Sequence, residues 1–80
     1  MNANVFYFNG YRFFFFSNEN EEPIHIHVEK AEGSAKYWLD PFQEVYSYGL
    51  KANQRKEIRA IIKLRINELK KAWHEHLKSS

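Results

Sequence analysis

The chain has 80 residues, 44% of them hydrophobic and 18% aromatic, with no cysteine and a net charge of +2. That length predicts one domain burying about 60% of its unfolded surface, with no disulfide framework or thiolate metal site. No charged-then-apolar leader or apolar run of about 18 residues is present, so a soluble cytoplasmic protein with no membrane partner is expected.

The first predicted element is a hairpin. Val5 to Phe8 and Tyr11 to Phe16 are rich in strand formers and flank Asn9-Gly10, the pair that a type I′ turn favours because both central residues need positive φ. Such a turn sets Phe8 opposite Tyr11 and Phe6 opposite Phe13. One face then holds Phe6, Phe8, Tyr11, Phe13 and Phe15, and the other Val5, Tyr7, Arg12, Phe14 and Phe16. With both faces largely apolar, the hairpin is expected at the centre of the sheet.

A polar loop, Ser17 to Pro23, leads to a third strand over Ile24–Glu29 with strict alternation. After a turn at Lys30–Gly33, a fourth strand runs over Ser34–Leu39 to Asp40-Pro41. If Glu29 opposes Ser34, then His27 opposes Lys36 and His25 opposes Trp38. Ile24, Ile26, Val28, Ala35, Tyr37 and Leu39 make the core face. His25, His27, Lys36 and Trp38 share the other, joined by Arg12 and Tyr7, and both histidines are expected to be exposed there. Phe42 to Leu50 leaves room for a short fifth strand.

From about Asn53 to Lys78 the pattern is helical, with Ile58, Ile62, Ile66, Leu69, Trp73 and Leu77 at three- and four-residue steps. Trp73 is expected as a core anchor. At about 100° per residue, Arg65 falls on the apolar stripe and Leu64 off it, which favours two helices broken near residues 65–67, with Asn67 as a cap. The fold class is therefore α+β: a four-stranded antiparallel sheet, or five-stranded if 42–50 contributes, in residues 1–50, followed by one or two helices in 51–80.

Three groupings could carry chemistry. His25 and His27, at i and i+2 of a strand, point the same way. As metal ligands they lack an obvious third partner, since His74 and His76 lie about 200° apart on a helix, and no metal or other cofactor is expected. With Arg12 or Lys36 nearby they could act as acid and base in RNA cleavage, the cation stabilising a phosphorane. They could equally be polar residues on a solvated or partner-covered face. Second, Tyr7, Phe14, Phe16 and Trp38 beside Arg12 and Lys36 form either a stacking platform for single-stranded nucleic acid or ordinary packing. Third, Lys56, Arg59, Lys63 and Lys70 fall within about 60° of arc, a stripe for phosphate, for an acidic partner or for water. The charge is split: three bases against seven acids in residues 1–50, nine against three in 51–80. No nucleophile elbow, phosphate-binding glycine loop or zinc signature is present.

The run Gly10-Tyr11-Arg12-Phe13-Phe14-Phe15-Phe16-Ser17-Asn18-Glu19, then Pro23-Ile24-His25-Ile26-His27-Val28, resembles domain-of-unknown-function family 4160, a group of small bacterial proteins. The likeness continues through Ala35-Lys36-Tyr37-Trp38-Leu39 and Tyr48-Gly49-Leu50 to Trp73. Such genes often neighbour one of domain-of-unknown-function family 2442, an arrangement resembling toxin–antitoxin pairs. The resemblance thus implies a toxin-like role, a cognate antitoxin as partner, and functional positions at Arg12, His25 and His27. Lys51 departs from the pattern, standing where similar sequences often have a helix-capping Ser. Two functions are carried forward: a toxin that cuts or blocks RNA through His25, His27 and Arg12, and a non-catalytic module that binds protein or nucleic acid through Tyr7, Lys36, Trp38 and the basic helices.

Overall fold

The computed structural model describes residues 2–16 and 21–79, with residues 2–4 and 77–79 by backbone alone. The expected loop at Ser17–Asn20 and the side chain of Leu77 lie outside the described residues. Five strands, β1 (Asn2–Phe8), β2 (Tyr11–Phe16), β3 (His25–Lys30), β4 (Gly33–Leu39) and β5 (Phe42–Tyr48), precede two helices, α1 (Ala52–Leu64) and α2 (Ile66–Ser79). The sheet is an antiparallel meander in the order β1-β2-β3-β4-β5. The fifth strand is real, and the fold is α+β.

Asn9 and Gly10 take positive φ, 52° and 81°, and the pairs Phe8–Tyr11 and Phe6–Phe13 form as the turn requires. The β1–β2 hairpin nevertheless lies at one edge, and β3 is the central strand. A bulge between Asn4 and Phe6 shifts the register and turns Val5 towards the core, away from the face of Tyr7. The second hairpin closes at Ala31-Glu32 with Glu29 opposite Ser34, His27 opposite Lys36 and His25 opposite Trp38. The Asp40–Pro41 peptide bond between β4 and β5 is cis. Where β5 ends, Gly49 (φ 67°) passes so close to Gly33 that a Cβ on Gly33 would lie 2.8 Å from the Gly49 carbonyl oxygen.

The core lies between the sheet and the helices. Tyr11, Phe13, Phe15, Ile26, Val28, Ala35, Tyr37 and Leu39 face Ile58, Ile61, Ile62, Leu69 and Trp73. Burial, with Glu57 nearby, pushes the Tyr11 hydroxyl up to about 12. Trp73 meets Phe15 edge-on at 5.2 Å and is the anchor its position predicts.

The helices break at Arg65 (φ −111°, ψ 21°), whose backbone N–H is shared between the carbonyls of Ile61 and Ile62. Asn67 is not the cap: α2 begins at Ile66, and Asn67 is an exposed residue of its first turn. Arg65 sits on the apolar stripe because its guanidinium covers the rings of Phe6 (4.5 Å) and Phe8 (5.4 Å). Leu64 points to solvent. At the start of α1, Lys51 has no side-chain acceptor, and only its backbone is capped, its N–H donating to Gln54 Oε1 at 2.8 Å.

A polar cluster joins β5 to α1. Glu44 accepts from Tyr37 Oη (2.9 Å) and from Arg55 Nη2 (2.6 Å) and Nε (3.2 Å), with Arg59 at 3.9 Å. The hydrogen bond from Arg55 is the chief cause holding the Glu44 carboxyl below its usual range.

This packing can be tested at two residues. Trp73→Ala removes the indole that ties α2 to the sheet and should cost about 3–5 kcal/mol in denaturant titration; a loss under about 1 kcal/mol would show that the indole anchors nothing. For Glu44, a depressed folded pKa means a stabilising contribution that is complete above the unfolded value of about 4.3 and is lost as pH falls through the folded value. Glu44→Gln should therefore melt below the wild type at pH 7, and the two melting curves should converge on acidification below pH of about 4.

Candidate functional site: the outer face of the sheet

The face of the sheet away from the helices gathers the residues singled out in the sequence. Registry across the strands places Tyr7, Arg12, Glu29, Ser34 and Tyr48 in one row and Asn4, Phe14, His27, Lys36 and Tyr46 in the next, with the His25–Trp38 pair beyond. Strand alternation does this, successive rows taking every second residue of β2, β3 and β4, while the bulge in β1 sets Tyr7 and Asn4 three residues apart.

The expected exposure of the two histidines is wrong, although their register is right. His25 is 0% exposed and His27 5%. Alternation specifies which face a residue joins, and here that face is itself packed. The His27 ring lies between Phe14 (5.4 Å, stacked) and Phe16 (4.5 Å, edge-on), and the His25 ring stands edge-on to it at 5.1 Å. His25 also meets Trp38 at 5.7 Å and, because it opens β3, reaches Trp73 of α2 at 4.8 Å. Its Nδ1 donates to the Pro23 carbonyl at 2.8 Å, satisfying one buried polar atom. At the same end of the sheet, His76 Nε2 donates to the Phe16 carbonyl at 3.2 Å.

The two cations of this face lie flat on aromatic rings. Arg12 covers Phe14 at 4.1 Å and Lys36 lies 4.7 Å from the centre of Trp38. Each is held by a carboxylate: Arg12 Nη1 by Glu29 at 2.8 Å and Lys36 Nζ by Glu22 at 2.5 Å. Tyr7 is exposed at the β1 margin, Tyr46 and Tyr48 at the β5 margin, and Trp38 is half-buried.

Arg12, His25, His27, Lys36, Trp38 and Tyr7 therefore come together on one face. The basic helix residues do not join them. Lys56 is exposed on α1; Arg59 is drawn to Glu44, Lys63 lies 5.4 Å from the Phe42 ring, and Lys70 stands 3.9 Å from Asp40. Sequence reasoning missed Glu22, Glu29 and Glu44 as partners. Arg12 and Glu29 meet only through β2–β3 pairing, which no tight turn announces, and Glu22 lies in the connecting loop.

The described residues contain no group of three or more His, Cys, Asp or Glu able to hold a metal ion, and no helix among them is long and apolar enough to cross a membrane. Chemically, the face offers stacked rings, ion pairs and exposed phenols; its imidazoles are enclosed.

Comparison with curated proteins and with solved structures gives no match. Residues 10–74, from the β1–β2 turn to well inside α2, match the model of a family described as a domain of unknown function (DUF4160), and the chain belongs to that family.

Proposed function

We propose that the chain is a non-catalytic binding module, the toxin-like component of a bacterial two-protein system, and that it acts by occupying single-stranded RNA with its helical surface. The observation that carries this reading is the distribution of charge. Residues 51–80 hold nine bases against three acids, and Lys56, Lys63 and Lys71 are exposed, whereas Arg12 and Lys36 of the sheet are held by carboxylates. Lysines that neutralise phosphates release counterions and supply affinity without sequence preference.

Enclosure of the histidines argues against RNA cleavage. A general acid or base must come within about 2.6–3.2 Å of the proton it transfers, and His25 presents no surface to a substrate. An antitoxin-like partner would relieve the block by displacing RNA.

The test is titration of a single-stranded RNA oligonucleotide across a salt series. The wild type should bind with a steep salt dependence and return the RNA intact. Lys56→Gln/Lys63→Gln should weaken binding and flatten the slope by about 0.7 for each phosphate no longer neutralised. An unchanged slope would mean that these lysines are only solvated. Cleavage by the wild type, abolished in a folded His27→Gln variant, would reinstate the catalytic reading.

A further inference from the structure

The outer face of the sheet has a second property, independent of the basic helices. Its cations are inside and its anions outside. The Arg12 side chain is 22% exposed against 48% for Glu29, and Lys36 is 12% exposed against 41% for Glu22. Each base lies against a ring with its carboxylate more open to water, and Glu21, beside Glu22 in the chain, is exposed as well. The face thus carries ion pairs whose carboxylates stand outermost, with the bases lying against the rings of Phe14 and Trp38. At its margins stand Tyr7, 66% exposed, and Tyr48, 74% exposed, at the two ends of one row. Four inter-strand steps set them about 19 Å apart, with Arg12, Glu29 and Ser34 in the row between them.

An antiparallel sheet with helices on one face commonly turns a polar alternation to water on the other. Here Phe14, Phe16, His27, Trp38 and the tyrosines occupy those positions. Exposed Tyr, Trp and Phe are the residue types enriched where proteins meet.

We infer that this face docks a cationic amphipathic segment of a partner protein, its apolar side against the exposed rings of Phe16, Tyr46 and Tyr48 and the half-buried Trp38, and its lysines or arginines on Glu22 and Glu29. Charge decides the occupant. A nucleic acid would meet the outermost carboxylates, and the same face of a second copy would set like charges together.

The probe is an 18-residue amphipathic peptide of leucine and lysine, titrated into the isotope-labelled full chain and followed by NMR, beside its leucine–glutamate counterpart. The lysine peptide should shift the Trp38 indole and the amides of Phe16, Tyr46 and Tyr48, and the glutamate peptide should not bind. Tyr46→Ser/Tyr48→Ser, at two exposed sites, should lower affinity about tenfold or more while leaving RNA binding by the helices unchanged. Glu22→Gln/Glu29→Gln should weaken the peptide likewise and remove most of its salt dependence. Equal binding of both peptides, shifts confined to α1 and α2, or unaltered affinity in the folded variants would overturn the inference. Self-association that depends on Tyr46 and Tyr48 would overturn it too, making a second copy the occupant.

Discussion

A strand in the middle of a sheet has two faces to close, and the helices of this chain can close only one. Ile26 and Val28 of β3 go to the core that also holds Ile58, Ile62 and Trp73 of the helices. Alternation then commits His25 and His27 to the opposite face, and the protein closes that face with its own side chains. Phe14 and Phe16 from β2, Trp38 from β4, and the long stems of Arg12 and Lys36 make a second, thinner layer around the imidazoles. Imidazole suits the position: it packs as a ring, and the Pro23 carbonyl takes its buried N–H.

This second layer determines the electrostatics of the face. A guanidinium or ammonium over a ring gains about 0.5–1 kcal/mol at an exposed site and more when it is desolvated. The base therefore settles onto the aromatic floor, and its carboxylate partner follows on the solvent side. Pairs of this kind contribute modestly to stability. Their larger effect is to neutralise Arg12 and Lys36, which in the sequence look like cations offered to a ligand.

Local rules carry the topology a long way. Asn9-Gly10 dictates the first hairpin, and alternation in β3 and β4 gives the second, down to the His27–Lys36 and His25–Trp38 pairs. The misfit of Arg65 on an apolar stripe marks the helix break, and the structure explains it by Phe6 and Phe8. What local rules cannot supply is depth. His25 is enclosed with Trp73, far along the chain, and bonded to the Pro23 carbonyl, and no turn motif specifies either contact. The edge placement of the first hairpin is likewise hidden, since aromatic residues on both faces of β2 suit a central strand and a self-covered one equally well. Glu44 looks like a surface residue of a doubtful strand until Arg55 and Tyr37 are brought to it.

Separation in space keeps the two charged surfaces from cancelling. The helices and the outer-face carboxylates lie on opposite sides of the sheet, so the lysines of α1, Lys63 near Phe42 among them, lie more than about 10 Å from those carboxylates. Screening at physiological ionic strength has a length of about 8 Å, so the two surfaces are more than one such length apart. A polyanion on the helices would therefore feel little repulsion from Glu22 and Glu29, and a cationic segment on the sheet little from Lys56 and Lys63. The two proposed ligands, one for the basic tail and one for the sheet, would therefore bind with little electrostatic coupling. Among the described residues, Trp73 against His25 and His76 against the Phe16 carbonyl join α2 to the outer layer, and competition between two ligands on this protein could pass through them.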